Sequence, residues 1–162
     1  MKLGTIVAAT TLLVSGVANA AASSMSIADM VEARQDFYDL GSVSVDNTAG
    51  QAYAMTAARN SSFWGPPTRP AMILIDAPGF PAGEKIVEYG QVDCVHMQFR
   101  PLMRLFYTKS GEMVDGASTI PTAGMSAWLT PDATETAAKV FCHGFIPEHV
   151  IKGATLSEVG AG

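Results

Sequence analysis

The chain has 162 residues, with 10 lysines and arginines against 15 aspartates and glutamates, a formal net charge of −5 and two cysteines. That length fits one domain with a core of its own. An acidic balance, without a basic run or aromatic residues interleaved with basic ones, excludes nucleic acid as a partner class and disfavours anionic membrane surfaces.

Met1 to Ala20, MKLGTIVAATTLLVSGVANA, places a lysine ahead of an apolar stretch from Leu3 to Val17 and ends on Ala18-Asn19-Ala20. This is the three-part pattern of a secretory signal peptide, cleaved after Ala20. The apolar part is shorter than the ~20 residues a spanning helix needs. The mature chain is therefore expected to lack a transmembrane segment and to be exported, to the periplasm or the cell surface. No cysteine lies near the junction, so a lipid-bearing start is not expected.

Residues 21–36 read as a flexible or short helical N-terminus: Ile27, Met30 and Val31 have helical spacing and Ser26 can cap them. From Phe37, FYDLGSVSV alternates in part, Asp46 to Gly50 reads as a turn, and Gln51 to Arg59 resumes with Tyr53 and Met55 in phase. The two runs form a first antiparallel pair, with a helix as the alternative for the alanine-rich second run. Asn60 to Pro70, NSSFWGPPTRP, is rich in proline, which has no backbone donor for a central strand, so it reads as a surface loop or an edge. Phe63 and Trp64 on that loop either anchor it to the core or form an exposed interaction patch. Ala71 to Ala77, AMILIDA, fits a buried strand, and Pro78 to Gly83 turns the chain back.

Lys85 to Thr108 carries the densest strand pattern. Val92, Cys94 and His96 fall on one face and Gln91, Asp93 and Val95 on the other, Gly90 marks a bulge, and Pro101 marks an edge or a bulge. Lys109 to Glu112 is a hairpin turn into Met113 and Val114, and Asp115 to Gly124 is loop-like. Thr130 to His143 is a helix: Thr130 caps it, Pro131 suits its first position, Asp132 and Glu135 suit its positive end, Ala133, Ala137, Val140 and Phe141 form an apolar stripe, and Gly144 stops it. The fold class is α+β, an antiparallel sheet flanked by a C-terminal helix, with the domain at 37–146 and a tail at 147–162.

In an exported chain two cysteines are expected to form one disulfide, here Cys94 with Cys142. A bond between positions 48 residues apart would destabilise the unfolded chain by roughly 4 kcal/mol. The rival is a zinc or copper site from Cys94, His96, Cys142 and His143. Against it, neighbouring residues on a helix point about 100° apart. His149 reads as a surface histidine.

No catalytic residue and no cofactor is expected. The chain has no G-x-S-x-G elbow, phosphate-binding glycine loop, H-E-x-x-H helix or haem-attachment motif. Gly124-Met125-Ser126-Ala127-Trp128 has only the first half of an elbow and reads as a loop entering the helix. Asp76, Glu84, Glu88 and Asp93 read as solvated surface acids.

Phe37-Tyr38-Asp39-Leu40-Gly41-Ser42-Val43, then Val92-Asp93-Cys94 with Arg100 and Tyr107 before Gly111, then Trp128-Leu129-Thr130-Pro131 and Lys139-Val140-Phe141-Cys142 follow one another in a way that resembles the surface-adhesin protein E family of exported bacterial domains. The resemblance spans about Phe37 to Gly144. It implies a twisted antiparallel sheet flanked by helix and a bridge from Cys94 to Cys142. The family's named member is a host-binding outer-membrane lipoprotein. The expected function is thus a non-catalytic binding or interaction domain of the cell envelope with a protein partner, an adhesin in its narrowest form. The alternatives are a periplasmic metal or small-ligand carrier using His96, His143 and His149, or a structural part of an envelope assembly docked through Phe63 and Trp64.

Overall fold

A computed structural model describes residues 26–60, 67–119 and 126–161. The signal-like segment and the Phe63-Trp64 loop lie outside the described residues. Helix α1, Ile27–Glu32, starts where Ser26 Oγ accepts the Asp29 N–H at 3.1 Å, while the Asp29 carboxylate accepts the Ser26 N–H at 3.0 Å. The Ser26 hydroxyl, donating to the same carboxylate at 2.7 Å, and then the Ser26 N–H hold the Asp29 carboxyl below its ordinary value. Six residues cannot sustain a helix alone. Burial of Met30 and Val31 stabilises it.

Strands β1 (Gln35–Val45) and β2 (Thr48–Met55) pair antiparallel from Phe37↔Met55 to Val45↔Thr48. The turn between them is only Asp46 and Asn47, with φ of 47° and 72°. Two left-handed residues match the twist of a hairpin, and Asp and Asn tolerate that region best among residues with a side chain. The alanine-rich run divides: it is strand to Met55 and a single 3₁₀ turn over Thr56–Asn60.

Strand β3, Thr68–Asp76, is buried from Pro70 onward. Pro70 lies inside it although the stretch to Pro70 reads as loop. β2 pairs only with Ile73 to Asp76, so β3 has one paired neighbour at Pro70 and tolerates it there. Strands β4 (Lys85–Asp93) and β5 (Gln98–Tyr107) follow as a hairpin. The pairing slips between Tyr89 and Gly90, and the extra residue is Leu102, on β5 rather than at Gly90. Gly90 serves the close approach: a Cβ there would lie 2.1 Å from the Arg100 carbonyl oxygen.

Two expectations fail nearby. Alternation through His96 does not hold, because β4 ends at Asp93, whose carboxylate takes the N–H groups of Val95 (2.8 Å) and His96 (3.1 Å). Local side-chain bonds of this kind compete with the ladder. Asp115 onward is not all loop either: β6, Met113–Thr119, stays paired, with Leu105↔Ser118 and Arg104↔Thr119.

The sheet order is β6-β5-β4-β3-β2-β1-β7, a curled antiparallel sheet of seven strands. Its last member, β7 (Val150–Ala154), comes from the stretch read as a tail and pairs with β1 through Phe37↔Ile151 and Tyr38↔Val150. Buried Leu156 and Val159 anchor it, and Arg34 reaches the Gly153 carbonyl at 2.6 Å and Glu158 at 2.9 Å.

Helix α2, Pro131–His143, begins with Thr130 Oγ1 accepting the Ala133 N–H at 3.1 Å and ends at left-handed Gly144, φ 66°. Ala133, Ala137, Val140 and Phe141 are buried as their spacing implies, with Ala138 beside them. Directly opposed residues share a sheet face, so Tyr38, Ala54, Ile73, Glu88 and Arg104 form one row across five strands. Trp128, just before α2, stacks on Arg104 at 3.9 Å, and Gly144, just after it, meets Arg59, which lies over Tyr38 at 5.8 Å. The helix therefore crosses this row. On the other face Gln51, Asp76, Lys85 and Tyr107 are aligned. There the Lys85 ammonium binds Asp76 at 3.2 Å and the Val159 carbonyl, so the C-terminal turn covers that side.

Asp76 and Glu88 are thus not solvated acids. Glu88 is fully buried beside Arg104, and Asp76 is held by Lys85. The reason is register: a carboxylate in a core row survives only with a cation opposite it.

Candidate functional site

The disulfide joins Cys94, the first residue after β4, to Cys142 in the last turn of α2, with Cα atoms 5.6 Å apart. It fastens the tip of the β4–β5 hairpin to the end of the helix. Both thiols are consumed, so the four-ligand metal arrangement loses its two thiolates. His96, the first of its histidines, instead gives Nδ1 to the Asp93 carboxylate at 2.7 Å, and His143 and His149 are exposed. Among the described residues no group of three or more His, Cys, Asp or Glu is placed to hold a metal ion.

Three of the large apolar side chains that stand in solvent lie within four residues in the chain of the bonded cysteines: Val95 at 67%, Phe145 at 46% and Ile146 at 63%. Val95 follows Cys94, and Phe145-Ile146 come just after Cys142, so the bridge gathers them at one end of the domain. The backbones of Val95 and Phe145 are held. The Asp93 carboxylate takes the Val95 N–H, and the Phe145 N–H donates to the Lys139 carbonyl at 3.1 Å beyond left-handed Gly144. None of the three was singled out by sequence pattern. Their nearness in the chain to the two cysteines is the signal that finds them once the bond is accepted.

Alongside runs a groove of about 380 Å³, with His96, Met97 and Gln98 on one wall and Ser126, Leu129, Pro131, Thr134 and Glu135 on the other. Met97, Leu129 and Pro131 give it apolar surface and the rest a polar rim. Glu135 is bound to Lys139 at 2.6 Å, and that bond lowers its carboxyl. Ser126 and His96, whose Nδ1 is bound to Asp93, both line this groove without forming a relay. Ser126 Oγ accepts the Trp128 N–H at 3.4 Å, and no hydrogen bond joins it to His96. The groove can receive a side chain, and among the described residues no base is hydrogen-bonded to Ser126.

The loop into α2 is tied down from three sides. Trp128 stacks on Arg104, packs edge-on to Phe80 at 6.1 Å and donates its indole N–H to Asp46 at 3.3 Å. This fixes the second wall of the groove to the sheet.

Hydrogen bonds from His96 and Val95, the His96 side chain's first, draw the Asp93 carboxyl down to about 2 from 3.8. A carboxylate whose native value lies below its unfolded one adds stability that is complete above the unfolded value and is lost as pH falls to the native one. Urea unfolding between those two values should therefore show a pH-dependent loss that Asp93→Asn flattens. The effect will be small because the pair faces water. An unchanged slope in the variant would mean that Asp93 does not hold the hairpin tip.

Compared with protein-family models, curated proteins and solved structures, the chain matches none. Among the described residues no helix is long and apolar enough to cross a membrane.

Proposed function

We propose that the chain is an exported, non-catalytic binding domain of the bacterial cell envelope that engages a protein partner through its disulfide-clamped end. The observation that carries this reading is the exposure of Val95, Phe145 and Ile146 on backbone that the bridge and its neighbouring bonds hold still. Apolar groups fixed in water favour a partner because little ordering entropy remains to be lost on contact. The adjoining groove supplies a polar rim and a recess for a partner's side chain. Export is supported by the signal-like leader and by a disulfide of the kind that persists in oxidising compartments. The resemblance to the surface-adhesin protein E family supports adhesion to host surface or matrix proteins as the narrower form.

The test is the binding of purified mature protein to immobilised envelope extracts and to host matrix proteins, compared with the variant Val95→Ser/Phe145→Ser/Ile146→Ser. Saturable binding should weaken by roughly tenfold or more in the variant, since truncating central apolar contacts commonly costs this much. All three positions are exposed, so its melting temperature should match the parent's. Binding that ignores the substitutions would overturn the assigned surface. Failure of the parent to bind either preparation would sink the binding reading.

A further inference from the structure

Two features set the groove between the hairpin tip and α2 apart from ordinary surface. Ser126, which lines it, is only 9% exposed. Its Oγ accepts the Trp128 N–H at 3.4 Å, while its own O–H meets no acceptor among the described residues. A buried hydroxyl normally spends its proton on a partner, and one left unmet is costly. On the facing wall Met97 holds φ at 54°, a left-handed backbone that residues with a side chain adopt only at a cost. Such strain persists only where the surroundings impose it. The bonded Cys94 lies three residues before Met97 and β5 starts one after it, so this side chain is kept at the groove. Leu129 and Pro131 add apolar surface, and Gln98 and Thr134 add neutral hydrogen-bonding groups. The charged groups are already engaged: Glu135 by Lys139, and His96 Nδ1 by Asp93. No lysine or arginine among the described residues lines the groove.

We propose that this groove receives a tyrosine side chain of the protein partner, an assignment that rests on the binding-domain reading and names what the partner inserts. With no free charge in the lining, the occupant is neutral, with an apolar body and one polar end. A phenol oxygen both accepts and donates, so it takes the Ser126 proton and gives its own to Gln98 or Thr134. An indole N–H only donates and a phenylalanine ring does neither, so both leave the Ser126 O–H unmet. The ring gains a sulfur contact from Met97 and apolar contact from Leu129 and Pro131. A space of about 380 Å³ lies at the small end of ligand sites, enough for one ring. A tyrosine also has few rotatable bonds to order on entry.

The experiment titrates the whole mature protein with N-acetyl-tyrosinamide and reads the Met97 and Leu129 methyls by NMR, with the phenylalanine and tryptophan amides as parallel probes. Tyrosinamide should give saturable shifts at these methyls, and the other two should bind roughly tenfold more weakly. Ser126→Ala leaves Trp128 anchored by Arg104, Phe80 and Asp46, so the loop is kept. That variant should bring the tyrosine and phenylalanine amides to within about twofold of each other. Met97→Gly stays folded because glycine suits a left-handed backbone, and it should weaken both amides by roughly fivefold. Equal binding of the three amides to the parent, a tyrosine preference untouched by Ser126→Ala, or affinities indifferent to Met97→Gly would each overturn the proposal. Tyrosinamide refused by a protein that still captures its partner would overturn it too and leave the binding reading standing. Tyrosinamide accepted by a protein that captures nothing would sink the binding reading and, with it, the partner's tyrosine.

Discussion

Replacing Arg104 by methionine is expected to destabilise the fold by about 3–5 kcal/mol, the usual cost of stranding one member of a buried ion pair. Glu88 has no exposed surface, and its one engaged oxygen accepts from Arg104 Nε at 2.6 Å. Its other oxygen is buried without a partner among the described residues, so nothing else there can compensate the charge. The arginine side chain is 15% exposed, too little for water to substitute for it. The same change removes the guanidinium beneath Trp128 and so loosens the loop that leads into α2. The double variant Glu88→Leu/Arg104→Met should recover most of the loss, because an apolar pair of similar volume needs no desolvation of charge. Urea unfolding of the parent, both single variants and the double variant measures this directly. A cost below about 1 kcal/mol for Arg104→Met would mean that the pair behaves like a surface one and that Glu88 reaches water.

The second large effect concerns the bridge. Cys94→Ser/Cys142→Ser releases a loop of 48 residues and should lower stability by about 4 kcal/mol through the entropy regained by the unfolded chain. That is a large share of a domain's net stability. It should also free Val95 from Phe145 and Ile146, so partner binding should fall more than the loss of folded protein accounts for. Thermal melting of the reduced parent should coincide with that of the double serine variant. A serine variant that melts with the oxidised parent would show that the bond adds nothing to stability.

Much of this architecture was legible in the sequence because local chemistry and tertiary packing agree. Thr130, Pro131 and Gly144 bound α2 on the page as they do in space, and its alanine stripe is the face that packs on the sheet. The disulfide followed from having two cysteines in a chain with an export leader. Register was less accessible. Leu102 is the extra residue of a bulge, and only that slip places Arg104 opposite Glu88, so the buried pair looked like two solvated charges. β7 was read as tail because Val150–Ala154 carries a lysine and a glycine and is short. Its strand state comes from pairing with β1, from which it is far removed in sequence, as in Phe37↔Ile151 and Tyr38↔Val150. The hairpin tip misled for the opposite reason: alternation extrapolated through His96, but the Asp93 carboxylate captured the next two N–H groups and ended the strand. Of the candidate surface, the cysteines and His96 were visible beforehand. The apolar end required knowing which segments the bridge brings together. Phe63 and Trp64, the patch expected from the sequence, lie outside the described residues.

The most direct measurement is site-specific photo-crosslinking in cells that express the full chain. A benzophenone amino acid replaces Ile146 in one strain and Lys109, in the turn before β6, in another. Discrete protein adducts at position 146, absent at position 109 and lost when Val95 and Phe145 are changed to serine, are the expected result. Adducts of equal yield at both positions, or none at position 146, would contradict a partner surface at the disulfide-clamped end.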